Sequence, residues 1–213
     1  MGKFILGDCM HPEYGLPSYP DKFIDLAIVD PPYGINIHKK QKAFSGVRNY
    51  HVGEFDAKRP EKEYFEEIDR VCKNWIIWGA NYFSDLLPPV KCFIFWDKHN
   101  SNIGKFADGE LAYCSFNSPA RLLKAPWLRW WQPDMKNKET RIHPTQKPIA
   151  LYRWLLENYA KPGDLILDTH VGSASSLIAF EQMKFDYVGF EIDEDYYKAA
   201  QDRMDKGIQQ LIF

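Results

Sequence analysis

The residues best suited to chemistry are Asp30-Pro31-Pro32-Tyr33. They follow a short apolar run, Ile24 to Val29, in which Asp25 is the only charge. The run is partly β-branched and stops at prolines, so it reads as a buried strand. Asp30 then stands where a strand leaves its sheet, and in open α/β sheets that carboxyl edge is where ligands bind. The Asp30 carboxylate and the Pro31 carbonyl form a pair of acceptors. Pro31 and Pro32 fix φ and remove two N–H donors, which makes the carbonyls rigid and leaves nothing to compete for them. Two rigid acceptors suit the exocyclic amine of a nucleobase, a poor nucleophile whose lone pair is delocalised into the ring. They draw on both N–H bonds, hold the nitrogen toward an electrophile and stabilise the positive charge that develops as a methyl group arrives. Tyr33 offers a flat face on which such a base can stack. A base inside a duplex cannot be reached this way and must first be flipped out.

A second set of residues has the form of a nucleotide-type site. Leu165 to Leu167 reads as a strand, Asp168-Thr169-His170-Val171-Gly172-Ser173-Ala174-Ser175-Ser176 as a small-residue loop, and Leu177 to Met183 as a helix. One glycine is too few for a pyrophosphate fingerprint. It is enough for close backbone approach to a ligand without phosphate. The next strand, Phe185 to Phe190, ends at Glu191, roughly 20 residues beyond the loop, the distance at which a Rossmann-type acid meets ribose hydroxyls. Lys3 to Leu6 is a further strand, followed by Asp8, which serves a ligand or caps the following turn. Asp8, Asp30, Asp168 and Glu191 thus all stand at expected strand ends, which a parallel sheet would gather around one cleft. His143-Pro144-Thr145-Gln146-Lys147-Pro148 leads into a helix over 149–159. A helix N-terminus with Thr145 and Lys147 beside it suits a carboxylate. His143 reads as structural, since the chemistry above needs no such base.

Asp30-Pro31-Pro32-Tyr33 resembles the catalytic motif of the DNA amino-methyltransferases, which make N6-methyladenine or N4-methylcytosine. The hexapeptide 143–148 resembles that family's motif around the methionine part of S-adenosylmethionine, and Asp168-x-x-x-Gly172-Ser173 resembles its cofactor loop. The likeness spans most of the chain. It departs at His170, where the family usually has Phe, and at Ala174-Ser175-Ser176, where it usually has Gly-Thr-Thr. The catalytic half comes first, as in the circularly permuted group called β, and permutation is tolerable because domain termini often lie close together. The resemblance implies an α/β, Rossmann-like class I methyltransferase fold: a mostly parallel sheet with one antiparallel strand, flanked by helices. It implies Asp30, Pro31, Pro32 and Tyr33 as catalytic residues. It implies S-adenosylmethionine held among Asp8, Cys9, Asp30, Thr145, Lys147, Asp168, Thr169, Gly172, Ser173, Ser175, Glu191 and Ile192. Asp first in the motif is usual for adenine and Ser for cytosine, which favours adenine N6. The alternatives are an N4-cytosine enzyme and an inactive DNA- or cofactor-binding relative. A protein-glutamine methyltransferase would start its motif with Asn and carry its cofactor loop first. Double-stranded DNA is the implied partner, and relatives often form homodimers.

The rest of the chain must position these groups. At 213 residues, with 45% hydrophobic and 15% aromatic residues, it reads as one globular domain with a full α/β core. Alternating strands and helices between 60 and 97 argue a parallel sheet: a helix from Pro60 with Tyr64, Phe65, Ile68, Val71 and Cys72 inward, strands over 75–78 and 92–96, and a short helix that opens at Asn81-Tyr82-Phe83 and stops at Pro88-Pro89. Glu110 to Phe116 reads as a further strand, and Asp193 as the cap of a last helix. Net charge is -2, so affinity for DNA must come from local patches. Two stretches supply them as insertions near 36–59 and 98–142. The first carries Lys39, Lys40, Lys42 and Arg48. The second interleaves Arg121, Lys124, Arg129, Lys136, Lys138 and Arg141 with Trp127, Trp130 and Trp131. The 4 cysteines are widely spaced and read as buried thiols, not as a metal site. No apolar stretch approaches a membrane span and no signal peptide is visible, so a cytoplasmic location is expected.

Overall fold

The structure is a computed structural model and describes residues 1–36, 56–100, 107–128 and 130–209. Most of the basic segment expected near 36–59 lies outside the described residues, as does Arg129. Within them, eight strands form one sheet: β1 (Gly2–Leu6), β2 (Ile24–Val29), β3 (Cys72–Trp78), β4 (Cys92–Asp97), β5 (Gly109–Cys114), β6 (Arg121–Lys124), β7 (Leu165–Asp168) and β8 (Asp186–Glu191). Their order in space is β1-β8-β7-β2-β3-β5-β4-β6. Every pairing is parallel except the two made by β5, which runs antiparallel to both β3 and β4. Among the described residues four helices pack on the sheet: α1 (Lys62–Val71), α2 (Ile149–Tyr159), α3 (Ser175–Gln182) and α4 (Glu194–Gln209). Among the described residues no helix is long and apolar enough to cross a membrane.

β2 lies between β7 and β3 and is covered on both faces, which is why it reads as an apolar run broken only by Asp25. Leu26 and Ile28 join a core with Ile76, Trp78, Ile166 and the inner residues of α2 and α3, among them Leu151, Leu155, Leu177 and Phe180. Ala27 and Val29 face the opposite core, with Ile77, Phe190 and the α1 residues Tyr64, Phe65, Ile68 and Val71. Those four α1 residues recur at helical spacing, and Glu63 in the first turn suits the helix dipole. Cys72, expected on α1, instead takes extended angles (φ -101°, ψ 141°) and begins β3 without any loop. The helix expected from Asn81 to Pro88-Pro89 is only a single 3-10 turn, Ala80–Tyr82, followed by turns. Arg121 to Lys124, read as part of a DNA-contact insertion, is the edge strand β6 paired with β4. Leu123 points inward there while Arg121 and Lys124 stay exposed, which guards an open edge against further pairing.

The pairing directions carry the functional consequence. β1, β8, β7 and β2 are consecutive neighbours and run parallel, so their ends deliver Asp8, Glu191, Asp168 and Asp30 side by side along one edge. β5 runs the other way and therefore presents its first residues, Gly109 and Glu110, at the edge where β4 ends at Asp97.

Asp25 shows why a charge interrupts β2. Its Oδ2 accepts from the Leu165 N–H at 2.9 Å, at the start of β7, and its Oδ1 accepts from Lys73 Nζ at 2.6 Å. Burial pushes its carboxyl up, but the N–H and Lys73 outweigh that and hold it below the usual range. A carboxyl depressed in the fold stabilises above its unfolded pKa and loses that contribution as pH falls. Asp25→Ala is expected to lower unfolding free energy by about 1–3 kcal/mol at pH 7 and by less at pH 3, as read by urea denaturation.

Candidate active site

The turn after β2 is clamped from below. Asp56 Oδ1 accepts from the N–H groups of Tyr33 and Gly34 at 2.7 and 2.9 Å, and Asp56 is itself buried. The Tyr33 hydroxyl donates to Asp30 Oδ1 at 2.7 Å. Its ring stacks on Tyr82 (centroids 4.8 Å apart, planes 15° apart) and meets the edge of Phe83. Gly79, after β3, has φ +72°, and a Cβ built there would fall 2.1 Å from the Tyr33 ring. Glycine is thus required at position 79 both for backbone conformation and for the close approach of Tyr33.

Lys147 is buried directly against this turn. Its ammonium donates to Asp30 Oδ2, lies 2.9 Å from Glu110 Oε2 and 3.4 Å from the Tyr33 hydroxyl, and sits 5.6 Å from the centre of the Trp78 ring. Glu110 Oε1 accepts in turn from Lys98. Burial disfavours the charge on Lys147, but Asp30 and then Glu110 outweigh it and raise its pKa. Burial likewise pushes Glu110 up, yet Lys147 and Lys98 hold it down at about 2. Asp30 is pushed up by burial, and the pull of Lys147 only partly offsets this because Glu110 adds a like charge.

The remaining acids meet different surroundings. Asp168 is almost fully buried, and burial pushes its carboxyl up to about 7. The His170 N–H donates to its Oδ1 at 3.0 Å, while the charged groups acting on it, Asp30 and Glu191, are both acids. Glu191 accepts from the Gly172 N–H at 2.7 Å and the Asp193 N–H at 2.9 Å. Asp8 accepts from the Met10 N–H at 2.8 Å, which is the turn-capping alternative read for it, while its charge still acts on Cys9. Cys9 also feels Asp168 and Glu191; burial first and these acids next push its thiol up to about 12, which keeps it protonated.

The loop between β7 and α3 is tied internally. Gly172 has φ +55°. Thr169 Oγ1 contacts the Tyr64 hydroxyl at 2.6 Å and His170 Nδ1 at 2.9 Å. Ser173 and Ser175 hydroxyls lie 3.1 Å apart. Arg203 on α4 donates to the Ser173 carbonyl and to Ser175 Oγ, and its other arm donates to Glu139 Oε2 at 2.6 Å. Glu139 Oε1 accepts from the Ile149 N–H at 2.9 Å.

That last bond corrects one expectation. The N-terminus of α2, read as a seat for a ligand carboxylate, is already capped by a carboxylate of the chain, and Lys147 beside it is engaged by Asp30 and Glu110. Thr145 is instead turned onto His143, its N–H 3.3 Å from Nδ1, and the His143 ring packs on Tyr196. Burial first, and Lys147 next, hold that ring neutral down to about 3, so it is a poor base, in keeping with the structural reading. Trp127, read as a stacking platform, is buried, donates to the Gln146 carbonyl at 2.7 Å and carries Arg141 on its ring. Trp130 and Trp131 remain exposed, with Lys136 and Lys138 nearby in sequence. Ile192 is 67% exposed beside Glu191.

Lys98, Glu110, Asp56, Tyr82, Glu139 and Arg203 were not singled out by sequence. Glu110 was hidden because acids were sought where strands end, and β5 is reversed. Arg203 had a signal: it lies seven residues after Tyr196, on the same inward stripe as Ala200.

A mostly parallel sheet with one reversed strand, helices on both faces and a Gly-Ser loop at its carboxyl edge defines the class I methyltransferase fold. The M1.HpyAVI–SAM complex matches at TM-score 0.60 with 21% identity, over 95% of this chain and 100% of its own. The PvuII DNA methyltransferase, cytosine-N4-specific, matches at TM-score 0.61 with 15% identity, over 98% and 90%. A family model of DNA methylases, covering the N6 and N4 methyltransferases, matches residues 97–202. The type II methyltransferase M.HpaI of Haemophilus parainfluenzae is 35% identical over 92% of this chain and 73% of its own length. The chain belongs to the N6/N4 DNA methylase family and is an S-adenosylmethionine-dependent DNA amino-methyltransferase. The buried Asp168 carboxylate, with the like charges of Asp30 and Glu191 acting on it, fits a cofactor that carries an ammonium.

Asp168 also sets a pH dependence. The unfolded chain releases this proton near 4 and the folded protein near 7. In between the folded state binds more protons, so Asp168 costs stability progressively as pH rises through that window. Asp168→Asn is exempt. Its melting temperature relative to the wild type is expected to rise from pH 5 to pH 8 in the absence of cofactor, as measured by thermal denaturation.

Proposed function

We propose that the chain methylates the exocyclic N6 amine of adenine in a flipped-out base within a specific DNA site. The observation that carries this reading is the Asp30 carboxylate at the end of β2, beside the clamped Tyr33 and on the same edge as Asp168 and Glu191. When bound, S-adenosylmethionine supplies an electron-poor methyl group. Asp30 and the Pro31 carbonyl accept from the amino group and hold its nitrogen toward that methyl. Positive charge develops on the nitrogen in the transition state, where fixed acceptors act most strongly. Tyr33, with Tyr82 behind one face of its ring, stacks the base, and the amine releases its proton after transfer. Neither a metal nor a covalent intermediate takes part in this scheme.

The cofactor is held along the neighbouring strand ends. Asp168 pairs with its ammonium, Glu191 meets the ribose hydroxyls, and Asp8, Cys9 and Ile192 border the adenine. Thr169, Gly172, Ser173 and Ser175 shape the loop, which Arg203 braces, and Thr145 stays near the methionine end. DNA is gripped by the segments near 36–59 and 98–142, with Trp130 and Trp131 as the exposed aromatics of the second. The adenine assignment rests on Asp first in the motif. A cytosine-N4 enzyme shares the fold, as the PvuII match illustrates, and N4-methylcytosine is the alternative product.

Asp30→Ala is expected to lower methyl transfer to DNA by about 10³-fold or more, while cofactor affinity measured by calorimetry changes little. Retained transfer in that variant would remove Asp30 from the chemistry. Nucleoside analysis of the methylated DNA decides the base, and methylome sequencing of an expressing host decides the site.

A further inference from the structure

We infer that Lys147 is a positioning residue for methyl transfer: anchored by Glu110 and Lys98, it fixes Asp30 as an ionised acceptor for the substrate amine. The inference rests on the reading of Asp30 given above and assigns Lys147 a place other than the cofactor carboxylate that its motif suggested. Four charges alternate in contact, Lys98 to Glu110 to Lys147 to Asp30, and sum to zero. Buried charges persist only when paired in this way. Lys147 holds Asp30 Oδ2 and the Tyr33 hydroxyl holds Oδ1. A carboxylate has about four lone-pair sites, so one contact on each oxygen leaves room for an incoming N–H.

Ionisation matters because a protonated Asp30 presents an O–H donor where the amine needs an acceptor. The groups acting on Asp30 come from several elements: Tyr33 from its own turn, Glu110 from β5, and Asp168, which feels Asp30, from β7. Tyr152 on α2 also feels it. None of these is a cation, and Lys147 is. Lys147 is itself no proton acceptor, because two carboxylates hold its charge. Glu110 carries a second effect of opposite sign: it anchors Lys147 but opposes the Asp30 charge, and Lys98 offsets that opposition.

The test is a pH titration of wild type, Lys147→Met, Glu110→Gln and the double variant, read in two ways. One readout is the Asp30 carboxyl signal by carbon NMR of labelled aspartate, assigned by its loss in Asp30→Ala. The other is kcat for methyl transfer to DNA. Lys147→Met is expected to move the Asp30 titration and the acid limb of kcat alkaline by about one unit or more, with roughly tenfold lower kcat at pH 7 that recovers at higher pH. Its KM for the cofactor stays within a few-fold. Glu110→Gln moves both limbs the other way, and the double variant falls between. An unmoved Asp30 titration in Lys147→Met overturns the inference, and so does a loss of cofactor affinity with kcat at saturation intact. Should Lys147→Met fail to fold, Lys147→Gln takes its place, and an unmoved Asp30 titration in that variant overturns the inference equally. The carboxyl signal needs no turnover. Absence of DNA methylation by the wild type would therefore fall on the reaction, and a static Asp30 signal on the pairing.

Discussion

Lining four carboxylates along the edge of a dry sheet costs free energy unless each acid finds a cation or N–H donors. The parallel ordering of β1, β8, β7 and β2 imposes that problem, and the chain solves it differently at each strand. Asp8 stays near solvent and caps a turn. Glu191 collects two backbone N–H groups. Asp30 receives a buried ammonium and a tyrosine hydroxyl. Asp168 receives one N–H and the Ser176 hydroxyl, the charges acting on it are those of acids, and burial raises it to about 7. The edge therefore has one balanced acid, next to the stacking tyrosine, and one under-balanced acid beside the glycine loop. In the proposed function a neutral substrate amine meets the first, and the ammonium of the cofactor meets the second.

Precision at the balanced acid comes from restraints that lie outside the motif. The prolines stiffen Asp30-Pro31-Pro32-Tyr33, but Asp56 fixes where the turn goes by holding two of its N–H groups. Gly79 lets the Tyr33 ring approach the end of β3, and Tyr82 covers one face of it. Arg59 steadies that neighbour by donating to the Tyr82 carbonyl and by pairing with Asp85 through both arms. On the other side, Arg203 joins α4 to the glycine loop and, through Glu139, to the start of α2. The segment carrying the exposed tryptophans is thereby tied to the loop at the under-balanced acid.

Much of this was legible because the relevant patterns are local. A central strand covered on both faces must read as continuous apolar sequence, so β2 and the position of Asp30 at its end follow from composition. The helix over 149–159 and the strands before Asp168 and Glu191 are bounded by proline, glycine and acids, and were found within a residue or two. What escaped was set by partners distant in sequence. Lys147 belongs to a motif that suggested a ligand carboxylate, and only the reversal of β5 brings Glu110 to meet it. Trp127 and Arg141 looked like a nucleic-acid surface because composition cannot tell a buried tryptophan with an arginine stacked on it from an exposed pair. Arg121 to Lys124 looked like the same surface because a four-residue edge strand has too little pattern to see.

The two places where the glycine loop departs from its family have physical accounts. His170 stands where Phe is usual. Burial holds its ring neutral down to about 4, its Nδ1 is bonded to Thr169, and its edge meets Tyr64 at 5.6 Å. A neutral, packed imidazole fills an aromatic's place without adding charge next to Asp168. Ala174 stands where Gly is usual, and it keeps the left-handed conformation (φ 58°, ψ 22°) that glycine would adopt freely. For a residue with a Cβ that conformation costs about 1–2 kcal/mol, and it persists only where the surroundings enforce it. Here Ala174 is fully buried and its N–H donates to the Val171 carbonyl. The loop thus retains its shape against local preference, held there by burial and by its own hydrogen bonds.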